Sequence, residues 1–315
     1  MLGFCGGVSR AFQSALRALD EADSSQRKPK IFSLGPLIHN QAALDKLGAR
    51  GLKILEESQI DSLEKGSVVI ARAHGVSPLV LERIKERGAS VVDATCPRVA
   101  LSQRMAAEFS AKGMFVILAG DKGHAEVKAV EGSAVFSSKD FRAAGPDANF
   151  TADSRAQIAG FAKNEPPAKS RFILVQNAVE AQDLLVTDEM RAASVLLSQT
   201  TFSPDEFKKI SWILSEKISG LKVLDTICPA TDERQAALSE LAKKVDALVV
   251  VGGNKSANSL RLFELAQSFC PRSYFVQSAD DLPNDFGGAE IVGIAAGASS
   301  PDFVIDAVER KIQAM

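Results

Sequence analysis

The chain holds four cysteines but no C-x-x-C pair. Zinc sites usually take four ligands and show such local pairs, so an ordinary zinc module is disfavoured. An excess of either charge is also missing: 37 basic residues stand against 39 acidic ones, with no long like-charge block. Neither nucleic acid nor an anionic membrane is therefore expected as a partner. No apolar run is long enough to span a bilayer and no signal peptide is visible, so the expected location is the reducing cytoplasm. Histidine is scarce, with three in 315 residues. That length exceeds a usual single core and calls for two or three domains.

What is present begins with the cysteines. Cys96 closes Val91-Val92-Asp93-Ala94-Thr95-Cys96-Pro97, and Cys228 closes the near-copy Val223-Leu224-Asp225-Thr226-Ile227-Cys228-Pro229. Cys5 stands in Gly3-Phe4-Cys5-Gly6-Gly7. Each precedes a helical pattern, and Pro97 and Pro229 suit the first position of a helix, where no backbone donor is lost. At a helix N-terminus the unpaired amides and the dipole favour thiolate. Soft thiolates held three to a site suit an iron–sulfur cluster, and three ligands for four irons leave one iron open to substrate. The plainer reading makes them buried structural cysteines; the duplicated D-x-x-C-P together with a third thiol before a helix favours the metal. Cys270 ends the apolar helical run Leu262, Leu265, Ala266, Phe269 and is expected to be structural.

Short apolar runs alternate with amphipathic ones. Strands are expected at 30–34, 67–71, 89–93, 114–119, 172–175, 194–198, 221–224, 246–251 and 290–295. Helices are expected at 8–20, 40–48, 77–87, 98–111, 203–217, 231–244, 256–269 and 301–312. Repeated β-α units imply parallel sheets with helices packed on them, and ligands bound beyond the strand carboxyl ends. The D-x-x-C-P repeat suggests two or three similar domains, each pointing a strand end at a shared centre.

The strand ends carry the remaining chemistry. His39, His74 and His124 all follow strand-like runs, as do Gln199-Thr200-Thr201, the segment Asn254 to Ser259, and Gly297-Ala298-Ser299-Ser300. Such donors at helix N-termini suit an oxyanion such as a diphosphate. Ser256 and Ser299 would serve equally as plain helix caps. If the segment runs extended, Glu126 faces the same side as His124, two residues earlier, putting a proton source beside an anion site. A solvated Glu opening a helix fits the local sequence as well.

The motifs Gly3-Phe4-Cys5-x-Gly7-Val8, Leu34 to Asn40, Ala73-His74-Gly75-Val76, Asp93 to Pro97, Gly123-His124-x-Glu126-Val127, Gln199-Thr200-Thr201, Ile227-Cys228-x-Ala230-Thr231-x-x-Arg234-Gln235 and Ala296-Gly297-Ala298-Ser299-x-Pro301-Asp302 occur in one order from residue 3 to 302. As a set they closely resemble the 4-hydroxy-3-methylbut-2-enyl diphosphate reductase (LytB/IspH) family. The resemblance implies an α/β fold of three similar parallel-sheet domains, in pseudo-threefold arrangement around a central 4Fe-4S cluster. It gives Cys5, Cys96 and Cys228 as cluster ligands, and His39, His74, His124, Thr200, Ser256, Asn258 and Ser299 as substrate-binding residues. It also implies that Glu126, with Thr200 nearby, helps deliver the proton with which the substrate hydroxyl leaves as water. Two electrons, from ferredoxin or flavodoxin in the family, complete a reductive dehydroxylation to isopentenyl and dimethylallyl diphosphate, the last step of the non-mevalonate route. The implied domains are 7–96, 97–224 and 225–315 with 1–6.

The sequence departs from the family at four places. Ala125 stands where proline is usual, and Ala257 replaces a serine between Ser256 and Asn258. The stretch from Glu126 to Gln199 is roughly 30 residues longer than usual and reads as a surface excursion near 135–170, expected to touch the electron donor or a neighbouring subunit. Four residues precede Cys5 where the family has a full strand, so either the start is misassigned or one sheet lacks an edge. Two other classes stay open: a quinolinate-synthase-like dehydratase, and a non-catalytic redox sensor descended from the reductase.

Overall fold

The computed structural model describes residues 2–136 and 171–315. The excursion near 135–170 thus lies, apart from Val135 and Phe136, outside the described residues. Three parallel sheets are built in chain order, and each of the three implied domain ranges holds one of them. By compactness the chain divides into two units, one of Met1–Ala73, Arg87–Cys96 and Cys228–Met315, the other of His74–Glu86 and Pro97–Ile227.

The first unit holds two sheets. One has strand order β2-β1-β3-β4, with β1 Ile31–Leu34, β2 Lys53–Leu55, β3 Val68–Ala71 and β4 Ser90–Asp93. Helix α1 (Gly6–Ser24) buries Ala11, Phe12, Ala15, Ala18 and Leu19, a 3.6-residue stripe, in one core with Ile31 and Ile70. Helix α2 (Gln41–Gly48) is capped by Asn40, whose side chain accepts from the Ala43 amide. The other sheet has order β10-β9-β11, with β9 Ala247–Val251, β10 Ser273–Val276 and β11 Val292–Ala296. Every residue of the central strand β9 is buried. Val249 and Val251 pack in one core with Val304, Ile305 and Val308; Leu248 and Val250 pack in another with Leu238, Ala242, Leu262 and Ala266. This alternation is the period of two expected of a strand covered on both faces. Among the described residues this sheet has three strands where the others have four.

The second unit holds the sheet β6-β5-β7-β8, with β5 Phe115–Ala119, β6 Phe172–Val175, β7 Ser194–Ser198 and β8 Leu221–Val223. Val116, Leu118, Val195 and Leu197 share a core with Ala106, Val127 and Val130, contributed by α4 (Pro97–Ala111) and α5 (Ala125–Val135). Ile117 and Leu196 face the other way, toward Phe207, Ile210 and Leu214 of α8 (Pro204–Lys217). Among the described residues, helix α3 (Pro78–Glu86) and the short helices α6 (Ala178–Asp183) and α7 (Asp188–Ala192) also belong to this unit. The remaining helices, α9 (Pro229–Ala242), α10 (Ala257–Phe269) and α11 (Asp302–Gln313), belong to the first.

Every strand and helix expected from the sequence is present, with ends shifted by four residues at most. Four kinds of element were not expected. Strands β2 and β10 are short edge strands, and both faces of β2 are partly exposed, so neither carries a long apolar run. Helices α6 and α7 are only one or two turns long. Helix α5 has only a narrow polar stripe, Lys128 and Glu131, against buried Val127, Ala129, Val130, Ser133 and Ala134, so its period is weak. Two 3-10 turns, Glu57–Ser62 and Ala279–Asp281, were also unmarked.

Candidate active site

The three thiols expected to hold a cluster all fall in the first unit, and the chain around each is built to present sulfur. Cys5 and Cys228 are the N-cap residues of α1 and α9, both in extended backbone, and neither thiol is used in capping. Cys96 immediately precedes Pro97, the first residue of α4. The repeated aspartate explains the shared turn. Asp93 Oδ1 accepts from the Thr95 amide and Asp225 Oδ1 from the Ile227 amide, each at 2.9 Å. These matching Asx-turns bend the chain from strand end into helix start. Each proline, at the head of its helix, needs no amide partner.

The thiols also converge. A Cβ at Gly7 would lie 2.5 Å from Cys96 Sγ, so the start of α1 after Cys5 sits against the Cys96 side chain. Gly6 has nothing within 4 Å of its hypothetical Cβ. This separates the two neighbouring glycines and accounts for a motif with glycine at position 7 and latitude at 6. Cys5 and Cys228 in turn share the electrostatic neighbourhood of Arg234. Three partly exposed thiols, those of Cys5 and Cys228 not used in capping and that of Cys96 packed against Gly7, fit a thiolate-ligated cluster. Cys270 differs: it is buried at the end of α10, its Sγ 3.7 Å from the Asp246 carbonyl, as a structural cysteine should be.

A first prediction follows from the two glycines. Gly7→Ala is expected to raise intrinsic helix preference yet displace Cys96, so the folded protein should lose its capacity to hold iron, whereas Gly6→Ala should retain it. Iron bound per chain after anaerobic reconstitution, alongside circular dichroism, checks both.

The first unit also gathers polar side chains suited to an anion at its strand ends. His39 precedes α2, and its carbonyl accepts from Ser299 Oγ at 3.3 Å. A Cβ at Gly253 would lie 2.1 Å from that same carbonyl, so the loop after β9 can approach only as glycine. Ser256 caps α10, as the plainer reading expected, through the Ser259 amide. Ser299 does not cap α11, whose N-cap is Pro301; it hydrogen-bonds Ser256 at 3.4 Å instead. Asn258 is buried, and among the described residues neither its amide nitrogen nor its oxygen has a hydrogen-bond partner. Burying such a group unpaired costs about 1–3 kcal/mol, a cost that a polar ligand would remove.

Two cations belong here that the sequence reading left without a role. Arg72 lies close enough to Gly35 that a Cβ there would meet its guanidinium at 2.6 Å, and its buried Nε has no partner among the described residues. Burial, then the positive charges of Arg72 and Lys255, hold the His39 pKa below its usual value. His39 is therefore neutral at neutral pH and can give one ring N–H to an anion, while Arg72 and Lys255 supply the charge. The signal for Arg72 was a lone cation closing the apolar run Val68-Val69-Ile70-Ala71.

In the second unit, Glu126 is the clearest feature. It is 1% exposed, and its two carboxyl oxygens accept from the Thr200 amide at 2.7 Å and the Thr200 hydroxyl at 2.8 Å. The segment is not extended, as the side-by-side placement with His124 assumed. His124 is the N-cap of α5 and Glu126 lies in its first turn, with the Glu126 amide donating to His124 Nδ1 at 3.2 Å. Nor is Glu126 a solvated helix opener. The loop after β7 is tied to the loop after β5: Gln199 accepts from the Asp121 amide at 2.9 Å and donates to Asp121 Oδ2 and Thr201 Oγ1. That tie places Thr200 over Glu126. The His74 ring meets that of His124 edge-on, with centroids 5.6 Å apart. Gln103 anchors the His74 loop through the Val76 and Ala129 carbonyls and Ser133 Oγ.

A parallel α/β scaffold with three cysteines at helix starts, polar groups at strand ends and a buried carboxyl–hydroxyl pair is consistent with an enzyme of the iron–sulfur class. The LytB protein family model matches residues 1–313, and the chain belongs to that family. The 4-hydroxy-3-methylbut-2-enyl diphosphate reductase of Treponema denticola is 37% identical, over 99% of this chain and 96% of its own. That of Caldanaerobacter subterraneus subsp. tengcongensis is 32% identical, over 99% and 94%. A solved (E)-4-hydroxy-3-methyl-but-2-enyl diphosphate reductase, the terminal enzyme of the non-mevalonate pathway, superposes with a TM-score of 0.65 at 29% identity, covering 99% of this chain and 96% of that one. The Plasmodium falciparum reductase shares the fold, with a TM-score of 0.78 at 23% identity over 99% and 85% of the two chains. Among the described residues, no helix is long and apolar enough to cross a membrane.

Proposed function

We propose that this protein is a 4-hydroxy-3-methylbut-2-enyl diphosphate reductase. It takes (E)-4-hydroxy-3-methylbut-2-enyl diphosphate, two electrons and two protons to isopentenyl or dimethylallyl diphosphate and one water. The observation that carries this reading is the gathering of Cys5, Cys96 and Cys228 in one unit, around Gly7 and Arg234. Those thiolates would hold one 4Fe-4S cluster, which when bound supplies electrons and a Lewis-acidic iron.

The chain's own residues do the rest. Neutral His39, Ser256, Asn258 and Ser299, backed by Arg72 and Lys255, take up the diphosphate oxygens. By the family resemblance, His74 and His124 are diphosphate-binding residues as well. Thr200 passes its hydroxyl proton to the departing oxygen, and a protonated Glu126 replaces it across the 2.8 Å contact once the hydroxyl has turned from donor to acceptor. Ferredoxin or flavodoxin is the electron donor, and the cytoplasm the place of action. This proposal places the paired chemistry on residues whose burial and bonding support it, and the unpartnered Asn258 argues for an active binding site over a redox sensor that no longer binds substrate.

Two measurements on anaerobically prepared protein test the reading. Iron and sulfide should each approach about four per chain, as for a cubane cluster. Added substrate should perturb the visible and EPR spectra saturably, whereas inorganic phosphate should not. Protein that binds no iron under these conditions would end the proposal.

A further inference from the structure

Arg234 stands in the second turn of α9, six residues after Cys228, and is 3% exposed. Its fork donates to two carbonyls from distant parts of the chain. Nη2 reaches the Gly3 carbonyl at 2.8 Å and Nη1 the Ala296 carbonyl, at the end of β11, at 3.0 Å. Gly3 lies two residues before Cys5, and the Cys5 amide donates to the Ala298 carbonyl at 3.0 Å. The segment leading into Cys5 is therefore tied to the chain following β11 at two points, one of them a charged side chain. Gly3 itself is at φ +81°, where glycine is favoured, and is packed so closely on Asp302 that a Cβ would lie 2.1 Å from its carboxylate.

Charge points the same way. A guanidinium stays protonated in proteins, and burying it is costly unless negative charge lies close by. Burial is the largest influence on Arg234 and lowers its pKa; Cys5 first, then Cys228, then the exposed Glu233 act against it. Two of these three are expected cluster ligands. A 4Fe-4S cluster on three thiolates is anionic overall, and nearby charge and hydrogen bonding tune its potential.

We propose that Arg234 is the positioning residue of the metal centre: it clamps the Gly3–Cys5 segment to the end of β11 and holds a buried positive charge beside Cys5 and Cys228 that raises the reduction potential of the cluster. The proposal rests on the reading of the three thiols as cluster ligands. It assigns a task to an arginine that takes no part in substrate binding or proton transfer.

The test compares wild type with Arg234→Lys and Arg234→Met in the full chain. In metal-free protein, hydrogen exchange of the peptide spanning residues 2–12 is expected to speed up about tenfold or more in Arg234→Met, the size of a lost charge-assisted hydrogen bond. In reconstituted protein, Arg234→Met should show a lower reduction potential by EPR-monitored titration and faster iron loss to a chelator. Arg234→Lys should recover most of the potential, because the charge remains, but not the slow exchange, because one ammonium cannot span both carbonyls in a fixed fork. Wild-type exchange, potential and chelation rate in Arg234→Met would overturn the proposal, as would a Lys variant no closer to wild type in potential than Met. If Arg234→Met fails to fold, the split between potential and exchange in Arg234→Lys decides alone. Failure of the wild type to bind iron would instead strike the cluster reading, and the exchange experiment on metal-free protein would still judge the clamp.

Discussion

Glu126→Gln is expected to bind substrate with near wild-type affinity and yet turn it over about 100-fold more slowly, the usual size of a lost general acid. The geometry makes this a clean substitution. Both carboxyl oxygens are occupied by Thr200, one by its amide and one by its hydroxyl. Glutamine keeps an oxygen for the amide and presents an NH2 to the hydroxyl, which can rotate to accept. The side chain therefore stays in place, but it can no longer resupply a proton to Thr200. The residues proposed to bind the diphosphate are untouched, so the substrate-induced change in the cluster spectrum should persist. His74→Ala should do the reverse, weakening substrate binding while leaving iron content unchanged. Stopped-flow turnover with a strong reductant, beside a spectroscopic binding titration, separates the two. Near-normal turnover in Glu126→Gln would falsify the proton-relay role.

Serine at position 5, 96 or 228 is expected to abolish both iron retention and activity, while Cys270→Ser keeps both. A serine hydroxyl is a hard oxygen donor that stays protonated near neutral pH, so it cannot replace a soft thiolate on iron. Cys270 sits in an apolar core beside Leu238 and Leu262, and its loss removes only a weak sulfur contact. Iron retained by Cys5→Ser but lost from Cys270→Ser would reverse the ligand assignment.

The thiol centre was legible because its signals are local. The doublet Asp93/Cys96 and Asp225/Cys228 encodes an Asx-turn, a thiol and a proline-headed helix within five residues, and both copies fold alike. Strand ends were equally readable, since buried parallel strands such as Ala247–Val251 are continuous apolar runs. The depth of Glu126 was not readable. Its burial depends on Thr200, 74 positions away, and on a helix whose narrow polar stripe leaves its period weak. Arg72 and Arg234 were visible as residues but not as tools. Only the fold brings Arg234 to Gly3, across 231 positions, or sets Arg72 against Gly35. The same holds for Ser299, which looked like a cap and bonds His39 instead.

The central claim is that this chain reductively removes an allylic hydroxyl from a diphosphate ester. The most direct measurement is product analysis after anaerobic incubation of iron-replete protein with (E)-4-hydroxy-3-methylbut-2-enyl diphosphate and a reduced ferredoxin, flavodoxin or low-potential dye. The account predicts isopentenyl and dimethylallyl diphosphate, with two electrons consumed for each product molecule formed. Iron-replete protein that leaves the substrate intact with every one of these donors would contradict it.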